Sequence, residues 1–275
     1  YVEGTCPHCN YESARGDQCD DCGKTLDAKE LINPRSKLNP DANIEFRETE
    51  HLFFKLSEFR DKLLDWLSEG KEHWRSSVLN FTRNWLKEGL IDRAVTRDLE
   101  WGIDIPRKGY EKKRMYVWFE AVMGYYSASL HWAKNQGKPE LWKDWWENDE
   151  AEHYYFMAKD NIPFHTIIWP AMLSGCNLHL PYDVPANEYL LLDSTQFSKS
   201  RRHAVWIPDY LDRYDPESLR YYLASIMPEQ KDANFTWEDY VTRINNELIG
   251  NYGNLMHRVI SFAQKNFPDG LSSEK

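Results

Sequence analysis

Four cysteines stand in two close pairs, Cys6-Pro7-His8-Cys9 and Cys19-Asp20-Asp21-Cys22, with nine residues between the pairs. Such spacing brings four thiolates within tetrahedral reach of one ion, and the stretch between them is too polar to fold for a hydrophobic reason of its own. Structural zinc on Cys6, Cys9, Cys19 and Cys22 is the expectation; four protein sulfurs leave no coordination position for a substrate. The competing reading is a redox or disulfide pair, against which the clustering of four of the five cysteines within 6–22 weighs. His8 reads as a bystander.

A second group occupies residues 189–202. An apolar, β-prone run through Leu190, Leu191 and Leu192 ends in a Ser-rich turn holding Ser198, Lys199, Ser200, Arg201 and Arg202. Cations at the carboxyl end of a strand suit an anionic ligand, phosphate foremost. Alone, Ser-Lys-Ser-Arg reads equally well as a solvated surface turn. Asp160 directly follows another predicted strand and can accept two hydrogen bonds from ribose hydroxyls, while Asn161, His165 and Ile168 fall on one helix face beside Phe164. By composition His165 is a core histidine as readily as a substrate contact. Past a third run, Trp118, Ala121 and Tyr125 offer a flat wall, a small gap and a hydroxyl. None of these stretches sets a nucleophile beside a base. Their chemistry is therefore positioning and charge stabilisation, with Lys199 against developing phosphate charge and direct attack by a substrate's own carboxylate or hydroxyl.

The elements that must position these groups follow from periodicity. Leu56, Phe59, Leu63 and Leu67, then Val78, Phe81, Trp85 and Leu86, predict two amphipathic helices ending at Gly70 and Gly89, after a connector over 31–50 with a short strand at 44–47. The runs 115–119, 153–157 and 188–193 predict three strands of a parallel sheet, with helices after the first two. Pro170 is expected to kink or end the helix that starts near Asp160. Asp215-Pro216 predicts a capped helix start, and 237–267 a long amphipathic helix whose stripe calls for a partner. Strand, helix, strand, helix, strand reads as the second half of an α/β doubly wound domain.

Composition bounds the rest. The 275 residues suffice for one large or two medium domains, and the net charge of -10 confines any nucleic-acid contact to local basic patches. That charge argues against tight non-specific DNA binding. No run reaches 18 apolar residues, so no membrane contact is expected. The cysteine usage predicts a reducing, intracellular setting. The opening Tyr1-Val2-Glu3-Gly4 reads as the interior of a longer chain.

Taken in order, these stretches resemble the class I methionyl-tRNA synthetases, particularly the archaeal type. Residues 116–125 look like the family's strand-helix segment walling the methionine pocket, Lys159-Asp160-Asn161-Ile162-Pro163-Phe164-His165 like its ribose- and methionine-binding segment, and Phe197-Ser198-Lys199-Ser200-Arg201 like its nucleotide loop. Residues 212–223 resemble the element that docks on the inner side of the tRNA, and the cysteine pairs match the zinc-bearing insertion. The resemblance implies a Rossmann-like α/β catalytic domain (its second half) with a zinc-knuckle insertion and the start of a C-terminal helical bundle. Its divisions are a connective insertion over 1–100 with the knuckle in 1–30, the catalytic half over 101–193, the nucleotide loop and stem-contact region over 194–236, and the anticodon-binding start over 237–275.

By the same resemblance, Trp118, Ala121, Tyr125, Phe164, His165 and Ile168 surround the methionine side chain, with Tyr125 and His165 as two donors aimed at the thioether sulfur. Asp160, Ser198 and Ser200 hold the nucleotide and Lys199 is the catalytic cation. The implied partners are methionine, ATP with Mg, and tRNA(Met), in the cytoplasm; oligomeric state stays open. Gln196 and Phe197 stand where the family carries lysine and methionine, and Ala158 where glycine is common. The region 35–40 has no second cysteine pair, so one zinc is expected. The family's His-Ile-Gly-His segment would lie ahead of residue 1, so these residues alone are expected to lack activation activity. A non-catalytic tRNA- or protein-binding module on the same scaffold is the alternative function.

Overall fold

The computed structural model describes residues 2–16, 19, 21–22, 24, 26–39, 41–199, 201–268 and 270. The chain divides into two compact units, 1–60 with 89–140, and 61–88 with 141–275.

In the first unit the knuckle is an antiparallel sheet in which Val2–Thr5 runs between Ala14–Arg15 and Ile32–Ser36. Cys6, Ala14, Cys19, Leu26 and Leu31 form its small core. The pairing slips between Glu3 and Thr5, where a Cβ on Gly4 would come within 2.9 Å of the Ile32 carbonyl; only glycine allows this approach. Two short antiparallel pairs follow, Phe53–Phe54 with Arg93–Ala94 and Thr96–Arg97 with Arg114–Met115. Residues 44–47 form no regular element, contrary to expectation: Phe46 is exposed and the stretch gains no ladder partner.

The run 115–119 is also corrected. Its strand ends at Met115, and Val117–Asn135 is a helix. An apolar run of five residues fits either state, and burial decides it: Phe119 and Val122, three apart, face inward while Val117 and Trp118 are exposed. The Tyr116 N–H bonds the Val95 carbonyl, closing the pairing before the helix begins.

The second unit holds two parallel pairings, each with a helical crossover. Met157–Ala158 pairs with Ala186–Asn187 across the helical stretch 159–175, and Leu190–Leu192 pairs with Ala233–Phe235 across the helices Ile207–Leu211 and Pro216–Ser225. The strand expected over 153–157 is reduced to its last residue plus a bridge from Tyr154 to Asp183. That expected over 188–193 narrows to 190–192. The two pairings belong to separate small sheets among the described residues, so the single three-strand sheet is not formed. Leu192, Tyr210, Leu219, Tyr222, Phe235 and Tyr240 close a core beneath the second pairing.

Pro170 neither ends nor breaks its helix, which runs on to Gly175. The preceding residues Phe164–Ile168 adopt a wide π turn, with Trp169 N–H bonding the Phe164 carbonyl. The wider turn relieves the contact between a proline ring and the carbonyl of the previous turn. The expected long helix is present as Trp237–Arg243, a π stretch Ile244–Gly253, and Asn254–Asn266. Tyr240 is buried, whereas Tyr252, Leu255, Val259 and Phe262 on its later turns are exposed. No helix among the described residues is long and apolar enough to cross a membrane.

Candidate metal centre and nucleotide site

The cysteine cluster passes the test its spacing sets. The four Sγ atoms lie within 4.8 Å of one another, with Cys6 and Cys22 at 3.9 Å and Cys9 and Cys19 at 3.6 Å. A tetrahedron with metal–sulfur bonds of about 2.3 Å has edges of about 3.8 Å, so these two pairs already match and the widest separation would close by no more than about 1 Å around an ion. The thiols are free, which removes the disulfide reading. Burial opposes a charged Cys6, but the N–H groups of His8 and Cys9 and the neighbouring thiols bring it down to about 7. Burial pushes Cys19 and Cys22 up. The His8 N–H reaches the Cys6 sulfur at 3.4 Å; His8 thus contributes its backbone.

In the first unit, Trp118, Ala121 and Tyr125 share the exposed face of the helix Val117–Asn135, at spacings of three and four. Partial burial raises the Tyr125 phenol. In the second unit, Asp160, Phe164, His165 and Ile168 share the stretch 159–175. Asp160 is exposed at the carboxyl end of Met157–Ala158, while His165 and Ile168 are buried. Asn161 does not cap this helix; its side chain donates to Asp160 Oδ1 at 3.1 Å.

His165 Nδ1 lies 3.0 Å from the Asn161 carbonyl, which can only accept, so Nδ1 carries the proton. Burial lowers the pKa of this ring, and the neutral form then has Nε2 as an acceptor. To donate to a sulfur atom through Nε2, the expected role, His165 would have to carry a second proton.

The Lys199 loop grows from a tight hairpin. Leu190–Leu192 turns through Asp193 and Ser194, both at positive φ, into Thr195–Gln196. Short polar residues tolerate this mirror-image turn, and Asn234 accepts the Ser194 N–H at 2.7 Å. Ser198 and His203 then exchange backbone hydrogen bonds at 2.9 and 3.0 Å, enclosing Lys199 in a four-residue turn. Ser198 Oγ accepts the Arg201 N–H, and the His203 ring donates to the Leu192 carbonyl at 2.8 Å, tying the loop to its parent strand. Lys199 is exposed. Ser200 lies outside the described residues. Sequence reasoning assigned no role to His203 or to Lys159; each stands beside a singled-out residue, but the partners that give it meaning are remote in sequence.

Parallel strand pairs with helical crossovers, and a cation loop at the carboxyl end of one of them, make this a Rossmann-like α/β scaffold carrying a cysteine knuckle. The family model describing tRNA synthetases class I (M) matches residues 1–260. The methionine--tRNA ligase of Thermomicrobium roseum is 56% identical over 97% of this chain and 46% of its own length, and that of Dehalococcoides mccartyi 58% over 95% and 47%. The Mycobacterium tuberculosis methionyl-tRNA synthetase solved with methionyl-adenylate has a TM-score of 0.71 at 25% identity, covering 89% of this chain and 47% of that one. The chain belongs to the class I (M) tRNA synthetase family, and it spans about half the length of the curated relatives it matches.

Proposed function

We propose that the complete polypeptide containing this chain is a methionine--tRNA ligase, activating methionine with ATP to methionyl-adenylate and passing the methionyl group to the 3′ end of tRNA(Met). The observation carrying this reading is the match, along 97% of the chain at 56% identity, to a protein bearing that activity in its name.

In this reading Asp160 receives the ribose hydroxyls as a carboxylate acceptor, and Lys199, presented by a turn fastened at Ser198 and His203, stabilises charge growing on the departing pyrophosphate. Ser198 shapes that turn, and Ser198 and Ser200 are further nucleotide-binding residues in this reading. Mg, held with ATP, supplies further charge neutralisation. Methionine's carboxylate attacks the α-phosphate directly, which accords with the lack of a nucleophile beside a base in these stretches. Trp118, Ala121, Tyr125, Phe164, His165 and Ile168 are assigned to the methionine side chain by likeness to the family's segments. The Tyr125 hydroxyl is the donor to the thioether, and His165 is the acceptor that orients its surroundings. One zinc ion on Cys6, Cys9, Cys19 and Cys22 supplies a structural cross-link; free thiols and a tRNA substrate suit the cytoplasm.

The test is methionine-dependent exchange of pyrophosphate into ATP by the complete polypeptide, with leucine and isoleucine as controls. We expect exchange with methionine alone, reduced about a hundredfold or more by Lys199→Ala. A complete polypeptide that exchanges with no amino acid would make the non-catalytic binding module the better account.

A further inference from the structure

We propose that Lys159 is a positioning residue that fixes Asp160 relative to the strand pair carrying the Lys199 loop; this rests on the adenylate-forming reading above. The two parts of the nucleotide site stand on different sheets. Asp160 follows the pairing of Met157–Ala158 with Ala186–Asn187, and the Lys199 loop follows the pairing of Leu190–Leu192 with Ala233–Phe235. No backbone ladder joins those sheets among the described residues; the chain passes from one to the other through Glu188 and Tyr189, so side chains that grip this short connection help to set the offset.

Lys159 makes that link. It directly precedes Asp160, and its Nζ lies 2.7 Å from Glu188 Oε2 and 2.9 Å from Asp232 Oδ1. The same ammonium sits over the Tyr189 ring, 4.4 Å from its centroid. Glu188 and Tyr189 form the short connection into Leu190–Leu192, and Asp232 immediately precedes Ala233–Phe235. Asp232 Oδ1 also accepts the Tyr189 N–H at 2.8 Å, so both strands of the second pairing begin on one carboxylate-ammonium cluster. Arg75 fastens the other end of the same segment, with Nη1 donating to the Ala186 carbonyl at 2.7 Å, Asn187 Oδ1 at 2.6 Å and the Glu229 carbonyl at 3.3 Å. Burial opposes the Lys159 charge, but the two carboxylates outweigh it and raise its pKa, so the cluster stays charged.

The side chains of this cluster are partly exposed, and ion pairs of that kind contribute little to folding. Their loss should therefore show in geometry at the nucleotide rather than in stability. In the complete enzyme, Lys159→Met is expected to raise the KM for ATP about tenfold while the KM for methionine stays within about twofold and the Tm is nearly unchanged. The double variant E188Q/D232N, which keeps the lysine, should reproduce that rise, adding little when combined with Lys159→Met, and Lys159→Arg should restore most of the affinity.

An unchanged ATP KM in both variants overturns the proposal. So does a rise in Lys159→Met alone, which would make Lys159 a direct nucleotide contact. If Lys159→Met fails to fold, the E188Q/D232N and Lys159→Arg comparisons still decide. ATP binding by calorimetry gives the same comparison without turnover, so absent methionine-dependent exchange counts against the function and not against the role of Lys159.

Discussion

Thr82 and Thr166 meet hydroxyl to hydroxyl at 2.9 Å, both without solvent exposure, joining the helix Ser76–Glu88 to the π turn that bears His165. Thr166 Oγ1 also lies 2.9 Å from the Ile162 carbonyl and Thr82 Oγ1 2.8 Å from the Val78 carbonyl, so one hydroxyl donates across the contact and the other to the carbonyl of its own preceding turn. Replacing either threonine by the isosteric valine is expected to cost about 1–2 kcal/mol, measured by denaturant unfolding. Because each loss removes the same contact, the double variant should cost clearly less than the sum of the two. Additive losses would mean that the hydroxyls do not share a proton.

The cysteine cluster predicts one zinc per chain by metal analysis. Cys22→Ala or Cys6→Ala should release the ion and unfold the sheet around Val2–Thr5, whose core is little more than Ala14, Leu26, Leu31 and the cysteines themselves. Chelation should expose that region to proteolysis before the rest of the chain. A metal-free chain with the same protease pattern would contradict this.

Acid should weaken the fold through histidines before carboxylates. Burial lowers the pKa of both His153 and His165 below the ordinary 6.5, so the unfolded chain takes up protons there while the folded chain does not. Their contribution is complete above about pH 6.5 and is lost as pH falls through the lower folded values. Asp232, whose pKa is lowered by Lys159 and the Tyr189 N–H against the cost of burial, is lost only below the usual carboxylate range. Tm should thus fall as pH drops below about 6.5, and His165→Asn should flatten part of that slope. A slope unaltered by the substitution would place the proton uptake elsewhere.

Selectivity for sulfur should rest on one donor. With His165 Nδ1 committed to the Asn161 carbonyl, Tyr125→Phe is expected to narrow discrimination between methionine and norleucine about tenfold in complete enzyme, measured as a ratio of kcat/KM. His165→Gln should impair both substrates alike. If His165→Gln alone narrows the ratio, the histidine is the sulfur donor after all.

Some of the site could be read directly because its chemistry is local. The spacing of Cys6, Cys9, Cys19 and Cys22 predicts four converging thiols, and they converge. Asp215-Pro216 predicts a helix start, and the Asp215 carboxylate accepts the N–H groups of Glu217 and Ser218. The run 115–119 was ambiguous for a definite reason: five apolar residues satisfy a buried strand and a buried helix alike, and only the inward packing of Phe119 with Val122 separates them.

The order of residues by itself determined the converging cysteines, the capped helix start at Asp215 and the succession of segments that marks the family, since each is written in side chains close in sequence. Tertiary structure decided that Pro170 could stay inside a helix, that His165 commits Nδ1 to the Asn161 carbonyl, and that Lys159 joins two sheets. The last depends on Asp232, 73 positions away, and such a partner becomes visible only when folding brings distant charges within hydrogen-bonding range.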